Sequence, residues 1–259
     1  MNRATALRSL IASGQDTIGA WLTIPDLTVT EIMAGAGFDW LIVDCEHGLF
    51  DLSQLHATLS ACKSSPVTVL VRVAFGDNVL VQHALDLGAD GIVFPQITNA
   101  QAAQNAVAAC KYPPNGNRSY GPRRASDYYR SISTYLTDAN EGNLVFLQIE
   151  SMEAVAHIDE IIDVPGVDAI FPGPMDLAAS AGNLGNASDE KVIAALDTIM
   201  TACNRLRMPL CAGLATSAQF PKSSQGRYLL AAFDDRLLTN AAANTVHDAK
   251  NWITNSLQK

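Results

Sequence analysis

A closed barrel of eight parallel strands, each followed by a helix, a (β/α)₈ or TIM barrel, is the fold this sequence predicts. Three observations predict it. Eight near-continuous apolar runs alternate with segments whose apolar residues fall at helical spacing, as expected for strands buried on both faces of a parallel sheet. The tripeptides Gly37-Phe38-Asp39, Gly88-Ala89-Asp90 and Gly166-Val167-Asp168 each stand just before one of those runs. Glycine there can take the left-handed conformation that ends a helix, and the next residues turn the chain into the sheet. Finally, 259 residues with 48% hydrophobic content suffice for one barrel, and no linker or shift of composition divides them, so 1–259 reads as one domain. A doubly wound open sheet is the alternative, but no Gly-x-Gly-x-x-Gly follows the first strand.

In chain order, the first strand is expected over 18–24 and the second over 40–44. Helical spacing over 52–62 leads to the third strand, 67–73, and a second helical segment, 79–87, to the fourth, 91–96. The fifth strand is 144–150 and the sixth 169–174; a long helical pattern over 191–206 then leads to the seventh, 209–214, and the eighth, 228–233. The stretch 220–227 is more polar than a barrel helix should be, which predicts a short seventh helix. At the end of the chain, 237–257, Leu238, Val246, Trp252, Ile253 and Leu257 fall on a helical spacing suited to packing on another subunit. One segment breaks the rhythm. Residues 112–142 are too long for a simple connection and open with Tyr-Pro-Pro-Asn-Gly-Asn-Arg-Ser-Tyr-Gly-Pro-Arg-Arg. Arg118, Arg123 and Arg124 in an otherwise acidic chain read as a local anion-attracting element.

A net charge of -9 argues against nucleic acid or an anionic membrane surface as partner. Nothing resembles a signal peptide, and no apolar stretch is long enough to span a bilayer. The five cysteines are odd in number and scattered, without a Cys-x-x-Cys pair, which points to a reducing, cytoplasmic compartment and away from zinc.

Barrel chemistry sits at the C-terminal ends of the strands. Those ends carry Asp44, Glu46 and His47, then Arg72, Gln96, Gln148 with Glu150, and Asp176. Glu150 and Asp176 each close an apolar run, so two carboxylates come to one sheet edge. Such a pair suits a hard divalent cation such as Mg²⁺ or Mn²⁺, but acids at strand-to-helix turns also serve as helix caps. His47 leaves the core in a glycine turn and is a candidate general base. Arg72 emerges from an apolar strand and needs an anionic partner, which Asp44 or Glu46 could supply as a structural ion pair. Glu46 either holds metal-bound water or caps the next helix. The other histidines lie on helical segments, as surface or packing residues. No lysine falls at the rim, which argues against Schiff-base chemistry, and Asp234-Asp235 after the eighth strand would repel phosphate. A cation, an arginine and a histidine together suggest enolate chemistry on a 2-oxo acid: polarisation of the carbonyl, stabilisation of the enolate oxygen, and transfer of a proton.

Trp40-Leu-Ile-Val-Asp-Cys-Glu-His-Gly48, Val71-Arg72-Val73, Tyr112-Pro-Pro with Arg118, Gln148-Ile-Glu150 and Gly173-Pro-Met-Asp-Leu177 occur in the order found in the 2,4-dihydroxyhept-2-enedioate (HpcH/HpaI) aldolases. The chain resembles this family of class II, metal-dependent pyruvate aldolases over nearly its whole length. The resemblance implies a (β/α)₈ barrel binding Mg²⁺, Mn²⁺ or Co²⁺ through Glu150 and Asp176. It implies His47 as base, Arg72 as transition-state stabiliser, and Asp86 as the carboxylate that raises the basicity of His47. It also implies contacts of Gln148 and the Met175 backbone with the 2-oxo acid, and a homohexamer whose last helix is exchanged between subunits. The activity expected is reversible cleavage of a 4-hydroxy-2-oxo acid to pyruvate, or hydroxypyruvate, and an aldehyde. The loop from Arg118 to Ser126 is shorter than in many members and similar to those acting on hydroxypyruvate and to the macrophomate synthase branch. The alternatives are a decarboxylase or cyclase of that branch, a lyase of CoA esters, and a non-catalytic barrel that senses 2-oxo acids.

Overall fold

Strand residues alternate between two hydrophobic cores, and that alternation decides which side chains reach the candidate site. The computed structural model describes residues 2–214 and 225–256, so most of the polar stretch 220–227 lies outside the described residues. The strands are β1 (Thr17–Leu22), β2 (Trp40–Asp44), β3 (Thr68–Arg72), β4 (Gly91–Phe94), β5 (Leu144–Ile149), β6 (Ala169–Pro172), β7 (Cys211–Gly213) and β8 (Tyr228–Phe233). All pair in parallel, in the order β6-β5-β4-β3-β2-β1-β8-β7. A parallel bridge between Ile170 of β6 and Leu210, just before β7, closes the circuit. The fold is the predicted (β/α)₈ barrel. Several predicted strands run one or two residues too far, because rim residues such as Gln96 and Glu150 leave the hydrogen-bonded ladder.

One helix, α1 (Arg3–Ala12), precedes the barrel. Around the sheet lie α2 (Leu27–Gly35), α3 (Leu52–Ala61), α4 (Asn78–Asp86), α5 (Ala100–Cys110), α6 (Ile132–Asp138), α7 (Met152–Ala156) and α8 (Ile158–Ile162). They are followed by α9 (Pro174–Ser180), α10 (Glu190–Leu206) and a long C-terminal α11 (Asp234–Ser256). No described helix is long and apolar enough to cross a membrane.

The larger core lies between strands and helices and takes Leu41, Val43, Val69, Val71, Val145 and Leu147. The smaller fills the barrel and takes the alternate residues: Trp40 and Ile42 of β2, Leu70 of β3, Leu144 and Phe146 of β5. Counting two further along each strand reaches Asp44, Arg72 and Gln148, which therefore form the uppermost inward-facing layer. Trp40 fits inside because β1 carries Gly19 opposite it; a Cβ there would lie 2.0 Å from the indole ring.

The opposite, N-terminal end is closed by α1, whose Ala4, Leu7 and Ile11 join the inner core. The glycines of the three tripeptide echoes all take positive φ (98°, 90° and 99°), and each aspartate holds a neighbouring strand. Asp39 accepts the N–H of Ile18, Asp90 that of Val69, and Asp168 that of Val145. Two of these carboxylates also anchor α1, through Arg3–Asp90 (3.0 Å) and Arg8–Asp168 (2.6 Å).

The segment from Lys111 to α6 follows a helix and precedes β5, so it starts and ends at this same N-terminal end; Gly121, Arg123, Arg124 and Tyr128 line an outer groove that reaches Leu52 and Ser53 of α3. Two of its three arginines are held by the fold, which narrows the anion-attracting reading from sequence to Arg123, beside Arg124 in a groove with His56 and His83. Arg118 is buried, pairs with Asp86 (2.6 Å) and stacks on Tyr112, 4.5 Å from the ring centre. Arg124 donates to the carbonyls of Leu87 and Leu59 (the latter at 3.0 Å), at the C-terminal ends of α4 and α3 where helix carbonyls lack partners. Of the three, only Arg123 is exposed.

Candidate active site

Asp44 and Arg72 are register partners on β2 and β3. Their side chains meet in a two-pronged pair, Nε to Oδ1 at 2.9 Å and Nη2 to Oδ2 at 2.7 Å. Nη1 of Arg72 lies 3.3 Å from Glu46 Oε2, and the guanidinium stacks 4.3 Å from the Trp21 ring centre. The sequence left Asp44 and Glu46 as alternative partners for Arg72; it has both. Burial pushes the Asp44 carboxyl up, but its bonds to Arg72 and to the N–H groups of His47 and Glu46 outweigh that and hold it below the ordinary carboxylate range. Through those last two bonds Asp44 also shapes the turn that carries His47. The imidazole is 73% exposed, with Nε2 3.9 Å from Glu46 Oε2.

Glu46, His47, Gln96, Glu150 and Asp176 line one cavity of about 380 Å³ at the C-terminal end of the barrel, with Phe75, Thr98, Ala102 and Ser151. Helix capping does not account for the two carboxylates. The N-cap of α7 is Ser151, whose hydroxyl accepts from Ala154, and that of α9 is Gly173, which has no side-chain cap. Glu150 instead accepts the backbone N–H of Gln96 at 2.9 Å. Gln96 presents that N–H from a left-handed conformation (φ 54°), a costly geometry for a residue with a side chain. Room for the Glu150 carboxyl comes from Gly173, where a Cβ would lie 2.7 Å from Glu150 Cγ.

Desolvation pushes the Glu150 carboxyl up to about 7; the Gln96 N–H opposes this, and the charges of Asp176 and Glu46 add to it. Burial, with the charges of Asp44 and Asp176, also raises Glu46, against the pull of Arg72 and His47. A cavity that concentrates carboxylates at the cost of their ionisation fits a cation. Gln148, buried just below, has an amide oxygen without a hydrogen-bond partner, a second sign that a ligand completes this layer. Among the described residues no group of three or more His, Cys, Asp or Glu side chains forms a closed ligand set. Two carboxylates would supply only part of the shell of a hard cation that keeps several waters, as Mg²⁺ does. Met175 is half exposed in the first turn of α9, beside Asp176.

Within one chain Asp86 is not brought to His47. It ends α4, which runs from the rim back to the N-terminal end, where its carboxylate is held by Arg118 and the N–H of Ala125 donates to its carbonyl. Within one chain the carboxylate beside the imidazole is Glu46.

The HpcH/HpaI aldolase/citrate lyase family profile matches residues 17–225, a span that holds every rim residue above. The chain belongs to this family. It is accordingly an enzyme, a lyase of the aldolase kind. The 4-hydroxy-2-oxo-heptane-1,7-dioate aldolase of Salmonella dublin is 40% identical over 194 residues, 74% of this chain and 73% of the relative. Among solved structures, a HpcH/HpaI aldolase/citrate lyase family protein from Burkholderia cenocepacia J2315 superposes with a TM-score of 0.87. It is 29% identical and covers 95% of this chain and 99% of that one. Macrophomate synthase superposes with a TM-score of 0.82 at 26% identity, over 97% of this chain and 91% of that one.

In this family member the sequence reading missed two parts of the site. Trp21 reads as one more apolar strand residue, yet its ring is the platform for Arg72; the alternation of β1 is the only signal that it faces inward. Gln96 was read as a rim side chain, whereas its backbone N–H does the holding, and nothing in the sequence announces that dihedral.

Proposed function

We propose that this aldolase reversibly cleaves a 4-hydroxy-2-oxo acid into pyruvate, or its analogue hydroxypyruvate, and an aldehyde. The observation that carries the reading is the gathering of Glu46, Glu150 and Asp176 with His47 on one cavity, beside Arg72, with no described lysine in its lining. Glu150 and Asp176 would hold a divalent cation, Mg²⁺, Mn²⁺ or Co²⁺, which when bound supplies Lewis-acid charge to the 2-oxo and carboxylate oxygens. Gln148 and the backbone at Met175 would orient the 2-oxo acid; N–H groups in the first turn of a helix such as α9 have no acceptor within it. Arg72 uses two N–H donors on Asp44 and faces Glu46 with Nη1, which leaves donors of its five for the oxygen on which charge develops. His47 takes the proton of the 4-hydroxyl as the C3–C4 bond breaks. The bonding pair passes into the pyruvate enolate, the aldehyde departs, and a proton returns to C3. Asp44 fixes both Arg72 and the His47 turn, and Glu46 rather than Asp86 is the carboxylate that assists the imidazole within the chain.

The working unit in this proposal is a homohexamer built through α11. This 23-residue helix buries only Asp234 against its own barrel, while Leu238 (60%) and Trp252 (71%) stay exposed. A reducing cytoplasm suits the five free cysteines, four of them buried.

The test is metal dependence without a Schiff base. A chelator is expected to abolish pyruvate addition to an aldehyde, and Mg²⁺, Mn²⁺ or Co²⁺ to restore it. Borohydride with pyruvate should leave the enzyme active; pyruvate trapped covalently on a lysine would overturn the mechanism.

A further inference from the structure

Arg72 is the inner end of a row of stacked planar groups that leads out of the barrel. Its guanidinium carbon lies 4.3 Å from the ring centre of Trp21. Trp21 is the register partner of Phe233 on β8, so both side chains take the inward face. Their rings stack within 8° of parallel, with centres 6.1 Å apart. Over Phe233, 4.5 Å from its ring centre, lies the guanidinium of Arg236, in the first turn of α11. The row thus joins an arginine of the catalytic rim to the helix that carries Leu238 and Trp252 out to a second copy.

The members of the row are also held from the side. Trp21 is buried and meets Phe171 of β6 with ring centres 6.0 Å apart. Asp234, buried at the start of α11, accepts the N–H groups of Thr23 (2.9 Å) and Ile24 (3.0 Å) and the Thr23 hydroxyl (2.6 Å). The first turn of α11 and the end of β1, which carries Trp21, are therefore clamped to each other. Asp44 and Glu46 grip Arg72 by the edges of its guanidinium. Edge hydrogen bonds tolerate tilting of a planar group, because their angular dependence is broad. A ring against the face supplies the missing restraint, and Trp is the ring that attracts a cation most strongly.

We propose that Trp21, Phe233 and Arg236 are positioning residues for Arg72, a relay through which the seating of α11 sets the direction of the arginine's free donors. The inference rests on the aldolase reading of Arg72 above and adds a coupling between the helix assigned to subunit contact and the enolate step. Because α11 buries only Asp234 against its own barrel, a second copy that grips the rest of the helix acts on Arg72 through this first turn.

The experiment measures Mn²⁺-supported proton exchange of pyruvate, which passes through the enolate and needs no aldehyde. It compares the full-length wild type with Phe233→Leu, Phe233→Tyr, Arg236→Ala and the double variant Phe233→Leu/Arg236→Ala, recording Tm and mass by light scattering for each. Phe233→Leu is expected to lower kcat about tenfold, part of the ~100-fold that a 1 Å misplacement costs, with KM for pyruvate changed by less than about twofold. Phe233→Tyr keeps the ring and should keep kcat within about twofold of wild type. Arg236 is exposed, so Arg236→Ala has little packing to lose; its kcat should fall about threefold, the worth of an exposed cation–π contact. The two losses should not multiply in the double variant, because a relay broken at Phe233 has nothing to pass on from Arg236. Losses that multiply, or a lowered Tm with kcat unchanged, would reduce these contacts to packing and overturn the inference. Either result would leave the aldolase reading standing, whereas a wild type that exchanges no proton would overturn both.

Discussion

Gly173→Ala is the most direct probe of whether Glu150 holds a metal, because it adds one methyl group next to that carboxylate and removes no polar group. Gly173 has φ -104° and ψ 88°, which an alanine can adopt. The new Cβ would stand 2.7 Å from Glu150 Cγ and 3.0 Å from Oε1. Ordinary carbon contacts begin near ~3.5 Å, so the Glu150 side chain must retreat by ~0.8 Å. It cannot swing away freely, since Oε2 is tied to the Gln96 N–H at 2.9 Å. Metal sites tolerate only about 0.2 Å of error in ligand distance, and displacing a group that orients a ligand typically costs 10–100-fold in metal affinity. The expected result is therefore a metal activation constant raised about 10–100-fold, or ~1.4–2.8 kcal/mol. Global stability should change little, because loss of glycine's freedom in the unfolded chain offsets part of the contact strain by ~0.4–1 kcal/mol. The assay titrates Mn²⁺ into chelator-stripped enzyme and follows pyruvate addition, with a thermal melt on the same preparation. An activation constant within twofold of wild type, at unchanged Tm, would show that Glu150 is not a ligand.

Arg72→Lys keeps the charge but loses the planar fork that Asp44 and Glu46 grip. Turnover should fall ~100-fold or more in both aldol cleavage and pyruvate proton exchange, because both pass through the enolate; a loss confined to cleavage would refute that role. His47→Ala should cut aldol cleavage by ~100-fold or more and spare oxaloacetate decarboxylation, which has no hydroxyl proton to remove. Equal loss of the two would assign the histidine to the enolate or to the fold. Asp44 has a folded pKa below its unfolded value, so its contribution to stability is full above the unfolded pKa of ~3.9 and fades as pH falls through the folded one. Thermal melts of wild type and Asp44→Asn should therefore differ at pH 6 and converge towards pH 2–3, and a gap that stays constant would contradict the assignment. Light scattering at micromolar protein should give an oligomer, and a monomeric mass would mean that α11 leaves Leu238 and Trp252 in water.

The strands were legible because burial on both faces leaves no polar alternation to interrupt them, and Asp44, Arg72 and Gln148 stood out as the polar residues that close such runs. Their common direction follows from counting in twos: 40, 42 and 44 on β2, 70 and 72 on β3, 144, 146 and 148 on β5 all share the inward face. Glu150 continues the same count, which is why a residue beyond the hydrogen-bonded strand still lines the cavity. Likeness and the chain's own topology place Asp86 differently. Asp86 ends a helix that starts at the rim, so after nine residues at ~1.5 Å each it must lie at the other end of the barrel, where Arg118 meets it. The arginines of the long insertion obey the same rule, since a segment between a helix and the next strand starts and ends at the N-terminal end. Charge alone reads them as an anion site; the carbonyls that Arg124 satisfies belong to two helix ends brought together only in three dimensions. What no count could supply is the left-handed backbone at Gln96 or the stacking of Trp21 beneath Arg72, since both are settled by packing between strands distant in sequence. Direction along the barrel is thus readable from the order of elements, and a charged residue in such a chain takes its end of the barrel from that order before it takes a role from its relatives.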